Sequence, residues 1–114
     1  MKPTSTANSG HYTWGGRCDG WHLVRSDALS VIQERMPAGA SEVEHYHTRA
    51  RQFFYVLDGQ LSLAVDGGIV TLEPRQGLEI APGVRHRAFN GGEVPVEFVL
   101  SSAPPAQGDR VNTA

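Results

Sequence analysis

The chain of 114 residues carries 10 Lys and Arg against 12 Asp and Glu, a formal net charge of −2 that gives no basic surface for nucleic acid. No apolar run approaches the roughly 18 residues of a spanning helix, and the one cysteine, Cys18, cannot close an internal disulfide. The length suits one domain, and the polar first ten residues lack the apolar stretch of a secretory signal, so a cytoplasmic protein with no nucleic-acid or membrane partner is expected.

Residues 1–10 are rich in Thr, Ser, Asn and Gly and read as a loose arm. Residues 11–21 mix aromatics with glycines and have no helical period. They predict an irregular strap or short edge strand anchored by Trp14 and Trp21. Residues 29–36 carry the β-branched pair Val31 and Ile32 and predict a strand, ended by Pro37-Ala38-Gly39. Residues 43–47 predict a strand with Val43, His45 and His47 on one face, and Glu42, Glu44 and Tyr46 on the other. Residues 52–57 are almost wholly apolar, as expected for a strand covered on both faces. After the turn Asp58-Gly59, residues 60–65 alternate with Leu61, Leu63 and Val65 inward. Asp66-Gly67-Gly68 signals a hairpin into residues 69–73.

Residues 78–81 read as a short strand, Pro82-Gly83 turns the chain into residues 86–89, and Asn90-Gly91-Gly92 is another turn. Residues 95–101 form a last strand with Val96, Phe98 and Leu100 on one face, and an extended tail follows. Many short strands and no helical period predict an all-β sandwich or barrel. The chain divides into an arm and strap (1–27), a barrel (28–102) and a tail (103–114).

His45 and His47 are two apart on a strand, so both imidazoles project from one face. Gln52 follows five residues later and His86 lies downstream. Three neutral imidazoles and one oxygen donor suit a divalent first-row metal: Fe, Mn, Ni, Co or Zn. His11 and His22 lie apart from this group and are read as non-ligands.

The stretch 39–59 runs Gly39, five residues, His45-Tyr46-His47, four residues, Gln52, six residues, Gly59. Downstream comes Ala81-Pro82-Gly83-Val84-Arg85-His86-Arg87-Ala88-Phe89-Asn90. In both order and spacing these resemble the two motifs of the cupins, small jelly-roll β-barrels, with Gln52 standing where the family has glutamate. The resemblance covers about residues 29–101. It implies a jelly-roll barrel and a metal held by His45, His47, Gln52 and His86. The first proline of the second motif is Ala81 here, and its opening glycine falls near Arg75.

Glutamine contributes a carbonyl dipole where glutamate would bring a charge. An ion on this donor set keeps its full positive charge and favours an anionic extra ligand such as an enolate or carboxylate. Gln52 either ligates the ion or hydrogen-bonds a water or substrate beside it. The implied function is an enzyme acting on a small oxygen-rich molecule (an enol, diketone, keto acid or sugar-like compound). It would act as a dioxygenase or as a Lewis-acid isomerase or decarboxylase. The alternative is a non-catalytic small-molecule binding or sensing module.

Phe54 shares the face of Gln52 by alternation and is the leading pocket residue, with Phe98 and Met36 beside it. Trp14, Trp21, Phe53 and Tyr55 are further aromatics that can line a pocket or fill the core. Glu34 or Arg35 points inward as acid/base or anion clamp. Glu42 and Glu44 are expected to face away from the histidines. Arg49, Arg51, Arg85 and Arg87 flank the motifs and can draw in an anion. Cys18 is expected to be buried and inert. Sheet edges need cover, and the resemblance implies pairing of two copies, so a homodimer is expected.

Overall fold

Strict alternation makes one face of each strand apolar, and such faces must be buried against each other. In the computed structural model, which describes residues 1–113, eleven antiparallel strands do so in two sheets. They are β1 (Gly10–Trp14), β2 (Cys18–Arg25), β3 (Ser30–Met36), β4 (His45–His47), β5 (Arg51–Asp58), β6 (Leu61–Val65), β7 (Gly68–Leu72), β8 (Gly77–Ile80), β9 (His86–Phe89), β10 (Val96–Ala103) and β11 (Arg110–Asn112). One sheet has the order β1-β2-β3-β10-β5-β8, the other β11-β4-β9-β6-β7. This is the all-β jelly roll expected. No helix among the described residues is long and apolar enough to cross a membrane.

The core between the sheets is built from inward positions of facing strands. Met36, Val56, Leu61, Leu63, Val96 and Phe98 are all essentially inaccessible to solvent. Asp66 and Gly67 both take positive φ (52° and 76°), which gives β6–β7 its tight turn. Gly59 has φ 81°, and a Cβ there would lie 2.5 Å from the Pro95 carbonyl oxygen, so only glycine lets β5 turn beneath β10.

Three elements differ from expectation. The aromatic strap is a regular hairpin, β1–β2, that extends the six-stranded sheet through β2–β3 pairing. The tail carries β11, which pairs with β4. Strand β5 is covered on one face only: Gln52, Phe54 and Val56 point in, while Phe53 and Leu57 are more than 40% exposed. An apolar run does not by itself distinguish a doubly covered strand from one with an apolar outer face.

The two sequence motifs meet in space. The Gly83 N–H donates to the His47 carbonyl at 2.7 Å, and the Gly39 N–H to the Asn90 carbonyl at 2.9 Å. Buried Asn90 also donates from its side chain to the carbonyls of Met36 and Val94. Its place in the motif is therefore structural: it satisfies backbone acceptors where β3 ends and β10 begins.

Candidate metal centre and cavity

Strands β4 and β9 are neighbours, and His45 stands opposite His86 in their register. His47, two residues on, shares the inward face. One ring nitrogen from each of His45, His47 and His86 falls within 4.8 Å of the others, and all three residues are buried. The His45 Nδ1–H donates to the Val43 carbonyl at 2.8 Å, and the His86 Nδ1–H to the Val84 carbonyl at 2.9 Å. A carbonyl only accepts, so both Nδ1 atoms carry the proton and both Nε2 atoms present lone pairs. Burial holds all three imidazoles below the usual histidine value, and His45 is pushed down to about 4. At neutral pH these are uncharged donors.

Gln52 enters from β5 on the other sheet. Its Nε2 donates to Ser102 Oγ at 3.1 Å, which fixes the amide and leaves the buried Oε1 without a partner. His47 Nδ1 and His86 Nε2 are likewise buried with no hydrogen-bond partner. Buried acceptors without donors are costly. Neutral imidazole nitrogens left bare in the His45, His47 and His86 cluster fit a divalent cation, and these are the residues that can hold one, while the bare Gln52 oxygen lines the same cavity as His45 and His47.

His45, His47 and Gln52 line a cavity of about 300 Å³, with His86 buried behind them. Phe54, Phe98 and Trp14 wall it, and Ala106, Gln107, Gly108 and Arg110 line it from the C-terminal segment. That segment is pinned by Asp109, buried, which accepts the N–H groups of Thr48, Arg49 and Ala50 at 3.1, 2.9 and 2.8 Å, and the Thr48 hydroxyl. These hydrogen bonds hold its carboxyl well below the usual carboxylate range.

Among the other residues singled out from sequence, Glu34 is inward and lines the cavity. Arg35 points outward, where it lies 3.9 Å from Glu97. Met36 is fully buried in the apolar core and does not line the cavity, because its position at the end of β3 sets it against the core rather than the opening. Glu42 was expected to face away from the histidines, yet it lines the cavity with its Oε1 4.0 Å from His45 Nδ1. Residues 42–44 are not strand, so the period-2 alternation does not reach back from His45. Burial pushes the Glu42 carboxyl up to about 7 against the Ala88 N–H and nearby arginines. Glu44 lies away from the cavity and accepts the Thr113 hydroxyl.

Trp21, Phe53 and Tyr55 lie on the sheet's outer side; Trp21 packs on His11, and Phe53 stacks with Tyr55. Arg49, Arg51, Arg85 and Arg87 do not line the cavity. Arg51 pairs with Glu79 and Arg87 sits over the Phe89 ring. His11 and His22 are outside the cluster, and Cys18 is buried with a raised pKa, chiefly from burial. The cavity arginine is Arg110, and Tyr12 joins it from β1. Neither was foreseen, since both come from terminal segments read as strap and tail.

A profile described as the Cupin domain matches residues 32–102. The chain is 38% identical over 68 residues to the tetracenomycin polyketide synthase protein TcmJ of Streptomyces glaucescens. The aligned region is 60% of this chain and 46% of that protein, so the chain spans less than half the length of this relative. The polyketide cyclase RemF from Streptomyces resistomycificus superposes with a TM-score of 0.86 at 17% identity, covering 100% of this chain and 86% of that one. A RmlC-like cupin from Shewanella frigidimarina gives 0.80 at 23% identity, covering 92% and 93%. At these identities the two structures speak to fold alone.

Proposed function

Because this chain belongs to the cupin family, we propose that it is a metal-binding enzyme acting on a small, oxygen-rich, enolisable organic molecule held in the aromatic-walled cavity. The observation that carries this reading is the cluster of three buried, neutral imidazoles, two of which line that cavity together with one unpartnered amide oxygen. His45, His47 and His86 would hold the ion, with Gln52 Oε1 as a neutral fourth donor. When bound, a divalent cation there supplies Lewis acidity toward substrate oxygens. A donor set without negative charge favours redox-neutral chemistry on an anionic enolate. The chain's own part is to orient and to exclude water: Phe54 and Phe98 give an apolar aromatic wall for a planar skeleton to lie against, and Arg110 adds a cation on the C-terminal side. Kinship with a polyketide synthase protein, and a fold shared with a polyketide cyclase, support polyketide-like β-dicarbonyl compounds as the substrate class.

A carrier or sensor needs only such a wall, whereas this cavity also buries carboxyl groups, which favours an enzyme. The test is metal analysis of protein purified without chelators, together with titration of an aryl β-dicarbonyl. The expected result is about one ion per chain, lost in His45→Ala and His86→Ala, and ketone binding that shifts its enol absorbance. Unchanged metal content in both variants would sink the assignment.

A further inference from the structure

We propose that Glu34, held by the Tyr12 hydroxyl, is the proton-transfer residue of the cavity, taking a proton from a carbon next to a substrate carbonyl. This rests on the reading of the cavity as a substrate site. The geometry begins with a cross-strand row. Tyr12 pairs with Gly20 in β1–β2, Gly20 pairs with Glu34 in β2–β3, and Glu34 pairs with Phe98 in β3–β10. A Cβ at Gly20 would lie 2.1 Å from the Tyr12 ring, so the missing side chain is the slot in which that ring lies. Laid across Gly20, Tyr12 reaches Glu34 and donates its hydroxyl to Oε2 at 2.8 Å. Gly20 and Tyr12 are positioning residues.

Glu34 has the features of a working group. It is buried yet lines the cavity, and it makes no ion pair among the described residues. Its side-chain hydrogen bond among the described residues is the one from Tyr12, to Oε2. Oε1 has no hydrogen-bond partner among the described residues and is not fully enclosed, which leaves it to the cavity. A carboxyl placed for stability alone would be paired or fully hydrogen-bonded. The groups facing it are Tyr12 from β1, Cys18 from β2, Glu42 from the β3–β4 connection and Arg110 from β11, while β10 offers only Phe98. Burial pushes the carboxyl up to about 7, with the Tyr12 hydrogen bond opposing, and a value there suits a base at neutral pH. Tyr12 itself is held well above its usual value, first by burial and then by Glu34, so it stays a donor.

In the step, the C–H bond α to the carbonyl breaks and an O–H bond forms on Glu34 Oε1. The C–H electron pair becomes the enolate. Collapse of the enolate onto a proton at a new position, or onto a second carbonyl, returns the Glu34 proton to product and needs no oxidant. The Tyr12 hydrogen bond steadies the carboxylate before transfer and relaxes after it.

The experiment follows deuterium exchange into 2-tetralone in D₂O by NMR, with the full chain as purified and ketone binding measured alongside. Wild type is expected to exceed the buffer rate. Glu34→Gln should lose about 100-fold of that excess with binding and metal content unchanged. Tyr12→Phe should move the midpoint of the pH–rate profile upward and cut the rate at pH 7 several-fold, which a purely structural tyrosine would not do. Equal exchange in wild type and Glu34→Gln overturns the proposal, as does a wild type that binds the ketone without exchanging it. A wild type that binds no ketone overturns the substrate-site reading and the inference with it.

Discussion

Gln52 and Glu34 both line the cavity from the six-stranded sheet, on strands either side of β10, and each departs from what its position alone would suggest. Gln52 is neutral, and its amide is oriented by Ser102 so that its buried oxygen is left without a partner at the cavity. Replacing it with glutamate adds a full charge at the same reach. Gln52→Glu is therefore expected to tighten Zn²⁺ or Mn²⁺ binding by about tenfold or more, read by competition with a chromogenic chelator. Unchanged affinity would mean that the Gln52 side chain does not touch the ion.

Glu34 sets a pH dependence with a definite sign. Its folded carboxyl sits at about 7 against an ordinary value of 4.5. The folded state therefore binds the proton more tightly, and stability from this group is complete below pH 4.5 and lost as pH rises through 7. The full shift amounts to about 3 kcal/mol as an order of magnitude. Glu34→Gln keeps an acceptor for Tyr12 and removes this loss. Its stability advantage over wild type should thus grow from pH 4.5 to pH 8 in urea denaturation. An advantage that is flat with pH would show that the carboxyl titrates normally.

At the scale of elements, the segment that carries β11 is the least predictable part and one of the most informative. It brings Arg110 to the cavity, and it is tied down by pairing with β4 and by the Asp109 carboxylate rather than through apolar burial. Asp109 satisfies three backbone donors between β4 and β5, immediately beyond His47. Asp109→Ala leaves these N–H groups without their acceptor. The expected outcome is a Tm lower by more than about 5 °C, with faster amide exchange at Thr48, Arg49 and Ala50. Because the loop follows His47 directly, metal affinity should fall as well. An unaltered Tm would show that water replaces the carboxylate without loss.

The β1–β2 hairpin works in the same indirect way. From sequence it reads as a strap held by tryptophans. In the structure Trp14 does pack on the core and walls the cavity, and the hairpin also delivers Tyr12 there, over the bare backbone of Gly20. A glycine between aromatics signals flexibility or close approach, and nothing local distinguishes the two.

At the scale of the whole molecule, the outer sheet face bears on association. The outer face of the six-stranded sheet carries Trp21, Val31, Phe53, Tyr55, Leu57 and Val99, with Phe53 and Leu57 well exposed. Apolar outer faces and uncovered edges favour pairing. The homodimer expected from sequence predicts a species of twice 12.4 kDa in sedimentation velocity. A Phe53→Lys substitution should shift it toward monomer; a wild type that sediments only at 12.4 kDa would remove the expectation.

The sequence by itself determined the jelly roll, the strand centres and the three histidines. These depend on periodicity and on spacing within two short motifs, both of which are local properties of the chain. Even the convergence of His86 on His45 follows once the two motifs belong to adjacent strands. The tertiary structure alone decided that Glu34 and not Arg35 faces the cavity, that Glu42 turns in, that Met36 belongs to the core, and that Tyr12 and Arg110 complete the lining. Each of these depends on strand pairings between residues far apart in sequence, or on where a strand stops. Alternation says which residues share a face, but only the pairing of the sheets says which face meets the cavity.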